Sequence, residues 1–460
     1  LGHCVRVSKS WHGIFLPHRW QHIRTYECYW GSYEHSGPSQ EALHNHRYLV
    51  QDLSILWLFR KNEMCTHPNL RHLRIEFNMC PSDVFNWDLT VKSPLLERLS
   101  LTHIETDWRT WQRLLEHPCL RHLDLDNAVI MPDAASGFWE ACRNLSSLSM
   151  NGVLFEYECV SFPSDTVFGR MRTLVMEGVE FGRMRPPDVR SEQLAIVFQC
   201  PILETFDLSI PDFRVRMAIH HPLQKERWSQ LDHLKIPWYC RNDEEWASVL
   251  EGIGNCFGDI LCLTLKSDGF GPRTLKALLG SHFRHLVDLR LYFSKSAVVV
   301  LGVLCSCSAL EVLHAQRVSV KDIAEGGPWV CRHLQELHVV FSCGKTDQAL
   351  QPLVFERLST LTQLATLNMG DHLRDQGLLE FRLDCGLGQL ASLQELRTVE
   401  FCSESTMAAP MQLEVKDVEW MICNWKKLEA IHGVLNGDQE VDAQLKDLLG
   451  NHGIITCELT

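Results

Sequence analysis

Along most of this chain the apolar positions follow one short pattern, L-x-x-L-x-L, in which the last two apolar residues alternate with polar ones. NLRHLRI at Asn69 recurs as LLERLSL at Leu95, CLRHLDL at Cys119, NLSSLSM at Asn144 and ILETFDL at Ile202. It returns as QLDHLKI, HLVDLRL, ALEVLHA, HLQELHV, QLATLNM and SLQELRT. The middle apolar residues are Leu53, Leu73, Leu99, Leu123, Leu148, Leu174, Phe206, Leu234, Leu263, Leu289, Leu313, Leu337, Leu367, Leu396 and Ile431, about 27 residues apart on average. A period of two makes each x-L-x-L a strand with one apolar face. One such unit buries too little to fold alone, so the copies must stack.

Between the strands the period becomes helical. DWRTWQRLLEHP places Trp108, Trp111, Leu114 and Leu115 on one face, with Thr106 or Asp107 as the cap and Pro118 beyond the end. NDEEWASVLEGIGNC, GPRTLKALLGSHF (with Pro272 near its first turn) and EVKDVEWMICNW repeat the theme. These elements predict an α/β solenoid, a horseshoe with a parallel sheet on the concave side and helices on the convex side.

The repeats resemble the leucine-rich-repeat family in its longer, irregular form, over roughly residues 48 to 459. They depart from it in one place. The family sets Asn or Cys three residues after the last Leu of the strand, where the side chain bonds loop backbone. Here Ile104, Ala128, Val153 and Val179 fill that slot, so the turns must be satisfied in another way.

The opening stretch is different: LGHCVRVSKSWHGIFLPHRWQHI. Leu1, Cys4, Val7-Ser8-Lys9, Trp11, Phe15, Pro17, Trp20 and Ile23 resemble, in order, the second half of an F-box. The resemblance implies docking to a Skp-type adaptor through Val7, Trp11, Leu16 and Pro17, with the family's first half also needed for that contact. The alternative reading is an amphipathic cap over the first repeat. The expected organisation is a partial F-box at 1–23, a linker and short helix at 24–47, and repeats with a C-terminal cap at 48–460.

Composition narrows the functions. Lys and Arg number 44 against 57 Asp and Glu, a net charge of -13, which disfavours nucleic acid as a partner. No apolar run is long enough to predict a membrane span. Nineteen Cys without a C-x-x-C pair predict free thiols in a reducing compartment, cytoplasmic or nuclear. His44-x-His46 and His220-His221 lack further ligands at metal spacing, and no phosphate loop, dinucleotide loop or glycine-framed nucleophile occurs. The chain is therefore expected to work without metal or cofactor and without catalysis.

The outward strand positions form a mosaic of charge. Arg74, Arg98, His122, Asp124 and Asp126 make one candidate partner-binding stretch, and Lys235, Lys266, Arg290 and Tyr292 another. Joined to the head, these repeats resemble the substrate-receptor subunit of a Skp–cullin–F-box ubiquitin ligase, holding an unidentified protein substrate across both stretches. An interaction scaffold with no ubiquitin role is the alternative, and a Cys-dependent enzyme the third class.

Overall fold

In a computed structural model the x-L-x-L segments are parallel strands laid side by side. The structure describes residues 16, 18–25, 40–57, 67–77, 93–156, 167–181, 199–209, 231–236, 242–256, 259–267, 269–280, 283, 285–292, 297–344, 346–369, 379–401 and 411–457. The chain divides into two units, residues 1–221 and 222–460. Each carries the α/β architecture of a leucine-rich-repeat solenoid.

In the first unit the sheet runs β1 (His22–Thr25), β2 (Asp52–Trp57), β3 (His72–Phe77), β4 (Arg98–Thr102), β5 (His122–Asp126), β6 (Ser147–Asn151), β7 (Thr173–Glu177) and β8 (Thr205–Ser209). Each strand pairs with the next in parallel. The register sets Ile23, Leu53, Leu73, Leu99, Leu123, Leu148, Leu174 and Phe206 in one buried line. Among the described residues the row opens at β1, ahead of the first repeat visible in the leucine pattern, and Trp20 just before it is buried, its ring 4.3 Å from that of His46.

The second unit continues the numbering with β9 (His233–Ile236), β10 (Cys262–Lys266), β11 (Asp288–Tyr292), β12 (Val312–Ser319), β13 (Glu336–Ser342), β14 (Thr366–Asn368), β15 (Thr398–Glu400), β16 (Ala430–His432) and β17 (Ile455–Cys457). Its buried line is Leu234, Leu263, Leu289, Leu313, Leu337, Leu367, Val399 and Ile431. Val399, not Leu396, holds the strand position of its repeat. The slip has a physical cause. Leu387 and Leu390 lie in a 3-10 helix, Leu387–Ser392, and Leu393, Leu396 and Val399 continue the same spacing of three. A 3-10 helix repeats every three residues, so the L-x-x-L spacing alone cannot tell helix from strand entry.

The missing Asn slot is explained by a second, smaller sheet. The residue two places beyond the last core residue of the strand is left-handed in four consecutive repeats: His103 (φ 56), Asn127 (φ 49), Gly152 (φ 60) and Gly178 (φ 60). At these corners His103 N donates to Asp126 O, Asn127 N to Asn151 O and Gly152 N to Glu177 O. The next residue is Ile104, Ala128, Val153 or Val179, each buried. The chain then adds a two-residue parallel strand, Glu105–Thr106, Val129–Ile130, Leu154–Phe155 or Glu180–Phe181. Backbone therefore satisfies backbone where the family uses a side chain, which frees the slot for an apolar residue.

The helices follow the predicted periods with one correction. In Trp108–Leu114, Asp107 is the cap, accepting from Thr110 N, and Trp111 and Leu114 are buried. Trp108 and Leu115, however, are 42% and 43% exposed. The buried stripe is centred on Thr110, Trp111 and Leu114, and at about 100° per residue Trp108 and Leu115 fall at its edge. In Asp243–Cys256 the buried Trp246, Val249, Leu250 and Ile253 have helical spacing. Asp243 also caps the next helix, Pro272–Leu278, by accepting from Arg273 N and Thr274 N.

Candidate functional site

Alternation turns every second strand residue away from the core, and the register lines those residues up in rows. In the first unit His72, Arg98, His122 and Ser147 form one row, Arg74, Ser100, Asp124 and Ser149 the next, and Glu76, Thr102, Asp126 and Asn151 a third. The expected residues Arg74, Arg98, His122, Asp124 and Asp126 thus share one face of β3, β4 and β5. Arg98 stands directly across from His122, with Asp124 on the diagonal.

The two acidic residues differ. Asp126 is tied down: its Oδ1 accepts from Nδ2 of Asn151 at 2.9 Å and of Asn127 at 3.2 Å, fastening the strand end to its corner. Asp124 is half-buried in the middle of the face. Burial pushes its carboxyl above the ordinary range, against the opposing charges of Arg98, His122 and Arg74. Burial, then Arg98, holds the His122 imidazole below its ordinary value, with Asp124 opposing. At neutral pH this patch therefore presents a costly carboxylate beside a neutral imidazole and guanidinium groups. Nearer the start of the sheet, Asp52 bridges His22 and His72, the latter at 2.5 Å.

In the second unit the register forms the row Lys235, Thr264, Arg290, His314, His338, Asn368, Glu400 and His432. Lys266 lies across from Tyr292, which is 40% exposed. Arg290 is held within its own strand, Nε and Nη2 each 3.0 Å from an oxygen of Asp288. That fork keeps the guanidinium charged but partly neutralises it, a pairing that strand alternation alone did not reveal. Farther along, Asn368 Nδ2 donates to Glu400 Oε2 at 2.5 Å, and burial raises the Glu400 carboxyl despite His432 and Asn368. The His314 and His338 rings stack with centroids 3.8 Å apart.

The two expected binding stretches lie in different units, and each is a surface in its own right. At the head, Leu16 is half-buried, while Val7, Trp11 and Pro17 lie outside the described residues. His46 has a packing role against Trp20. Every described thiol with a shifted pKa is shifted up by burial. Cys262 and Cys307 reach about 11 and Cys200, Cys331 and Cys385 about 12, the reverse of an activated nucleophile. Among the described residues no helix is long and apolar enough to cross a membrane.

No family model matches the chain, and no curated protein matches it. Among solved structures it is similar to an internalin, InlF, from Listeria monocytogenes, at 14% identity and TM-score 0.44, covering 79% of this chain and 86% of that one. It is also similar to the plant peptide hormone receptor RGFR1, solved in complex with RGF2, at 15% identity and TM-score 0.36, covering 90% of this chain but only 63% of the receptor chain. A third similarity is to TLR13, solved in complex with ssRNA13, at 11% identity and TM-score 0.33, covering 90% and 76%. Similarities this low leave the function to be read from the chain itself.

Proposed function

We propose that this chain is a protein-binding repeat scaffold that serves as the substrate receptor of a Skp–cullin–F-box ubiquitin ligase. The observation behind the scaffold reading is the open face of β3 to β5. There, the half-buried Asp124 carboxylate is held in fixed register beside the exposed Arg74 and Arg98, at a cost in solvation, with no catalytic constellation around it among the described residues. A folded chain keeps such a carboxylate at less cost if a partner supplies its counter-charge. The ligase part rests on the order Val7-Ser8-Lys9, Trp11, Trp20 and Ile23 in the head. In this reading the head docks the adaptor, the sheet face holds the substrate, and the contribution to ubiquitin transfer is proximity.

The test is co-purification of a recombinant Skp-type adaptor with the protein expressed from its complete coding sequence. A complex that Trp11→Ala abolishes supports the ligase role. Absence of any complex reduces the proposal to a scaffold with no ubiquitin role.

A further inference from the structure

β12 and β13 are parallel neighbours, and their register places His314 directly across from His338. Glu336 lies two residues before His338, hence on the same face of β13. The three side chains converge. His314 Nε2 is 3.9 Å from Glu336 Oε2, and one donor atom from each residue lies within 4.8 Å of the others.

Two further features set this cluster apart from an ordinary polar surface. His314 Nε2 is buried with no hydrogen-bond partner, although a buried ring nitrogen without one is costly. The pairing of β12 with β13 also shifts register immediately beyond His314, between His314 and Arg317. Bulges of this kind re-aim side chains and are common beside functional sites. On the flanks, Arg290 is forked to Asp288, and Asn368 is committed to Glu400. The imidazoles themselves are in the ligating form. Burial, then His338, brings His314 down to about 4, and burial also lowers His338.

We propose that His314, Glu336 and His338 form a binding site for a divalent cation of the zinc class, with three protein ligands and the remaining position open to water. Two neutral imidazoles and a carboxylate are a ligand set that suits Zn2+, with Co2+ and Ni2+ as substitutes. Bonds of about 2.0–2.2 Å in a tetrahedron set the donors about 3.3–3.6 Å apart. Closing to that distance from separations within 4.8 Å takes side-chain rotation. The rings must also turn out of their stack, 18° from parallel, so that their in-plane lone pairs meet at the ion. The sequence shows only the pair Glu336-x-His338, because the third ligand, His314, comes from the preceding repeat.

The experiment uses the purified chain, stripped with a chelator and titrated with Co2+. The free cysteines are competing ligands, so the spectrum matters. The site gives visible d–d bands without the near-ultraviolet charge-transfer band of thiolate coordination. The parent should bind one Co2+ of this kind, displaced by Zn2+, and Zn2+ should raise its Tm. His338→Ala and Glu336→Gln should each weaken that binding at least about tenfold, while Asn368→Ala should leave it unchanged. Glu336 is more exposed than His314, so Glu336→Gln tests the site even if the histidine variant fails to fold. A parent that binds no such Co2+, or a Glu336→Gln variant that binds it as tightly as the parent, overturns the proposal.

Discussion

Asp124 and its neighbour Leu123 sit one bond apart and face opposite ways, one half-buried on the open face and one in the core. Asp124 is held against its solvation. Its native pKa lies above that of the unfolded chain, so the native state binds the proton more tightly, and stability falls as the pH rises through that pKa. Asp124→Asn removes this loss. Its Tm should exceed that of the parent at pH 7, and the gain should shrink as the pH is lowered towards 4. Equal melting profiles at both pH values would show that the carboxylate is not under this load. Alternation within the strand was enough to place Arg98, His122 and Asp124 on one face from the sequence. It could not show that Asp126 is bound to Asn151 or Arg290 to Asp288, because those contacts depend on rotamers.

The four consecutive corners carry the element-scale account. Gly152 is left-handed, and a Cβ there would lie 2.5 Å from Asn127 Oδ1. Gly152→Ala should cost about 1–3 kcal/mol, whereas Asn127→Gly, already at a left-handed position, should change stability little. In Asn-ladder repeats the next residue must be polar; here it must not be. Val153→Asn should lose about 1–3 kcal/mol, since the buried Val153 already has its C=O accepting from Glu180 N in the second sheet and the new amide would be buried in an apolar slot. Denaturant melts of the three variants check both claims, and a stabilised Val153→Asn would restore the ladder model. The absence of Asn is visible in the sequence, but leucine spacing alone does not reveal the device that replaces it. Its signal is M-x-G-V-x-F in MNGVLF and MEGVEF, with LDNAVI and LTHIET as looser copies. The same limit explains Leu396: a run of aliphatics three apart fits both the 3-10 turn and the strand entry, and only pairing with Leu367 decides for Val399.

At the scale of the whole molecule, each unit is a stack in which strand residues alternate between holding the fold and meeting the solvent. The stacked cores make the inward half unforgiving. Leu123→Asp should cost about 3–5 kcal/mol by burying an unpaired charge, and a melt indistinguishable from the parent would contradict the repeat register. The outward half should tolerate change in stability but not in function. The most direct measurement is a comparison of the proteins that co-purify with the parent, with Asp124→Lys and with Glu140→Lys, the last on the exposed side of the helix Ala135–Cys142. If the open face of β3 to β5 holds the partner, all three proteins fold, the parent and Glu140→Lys retain the same partners, and Asp124→Lys loses at least one of them. If Asp124→Lys folds and retains every partner at parental levels, that face is not the binding surface.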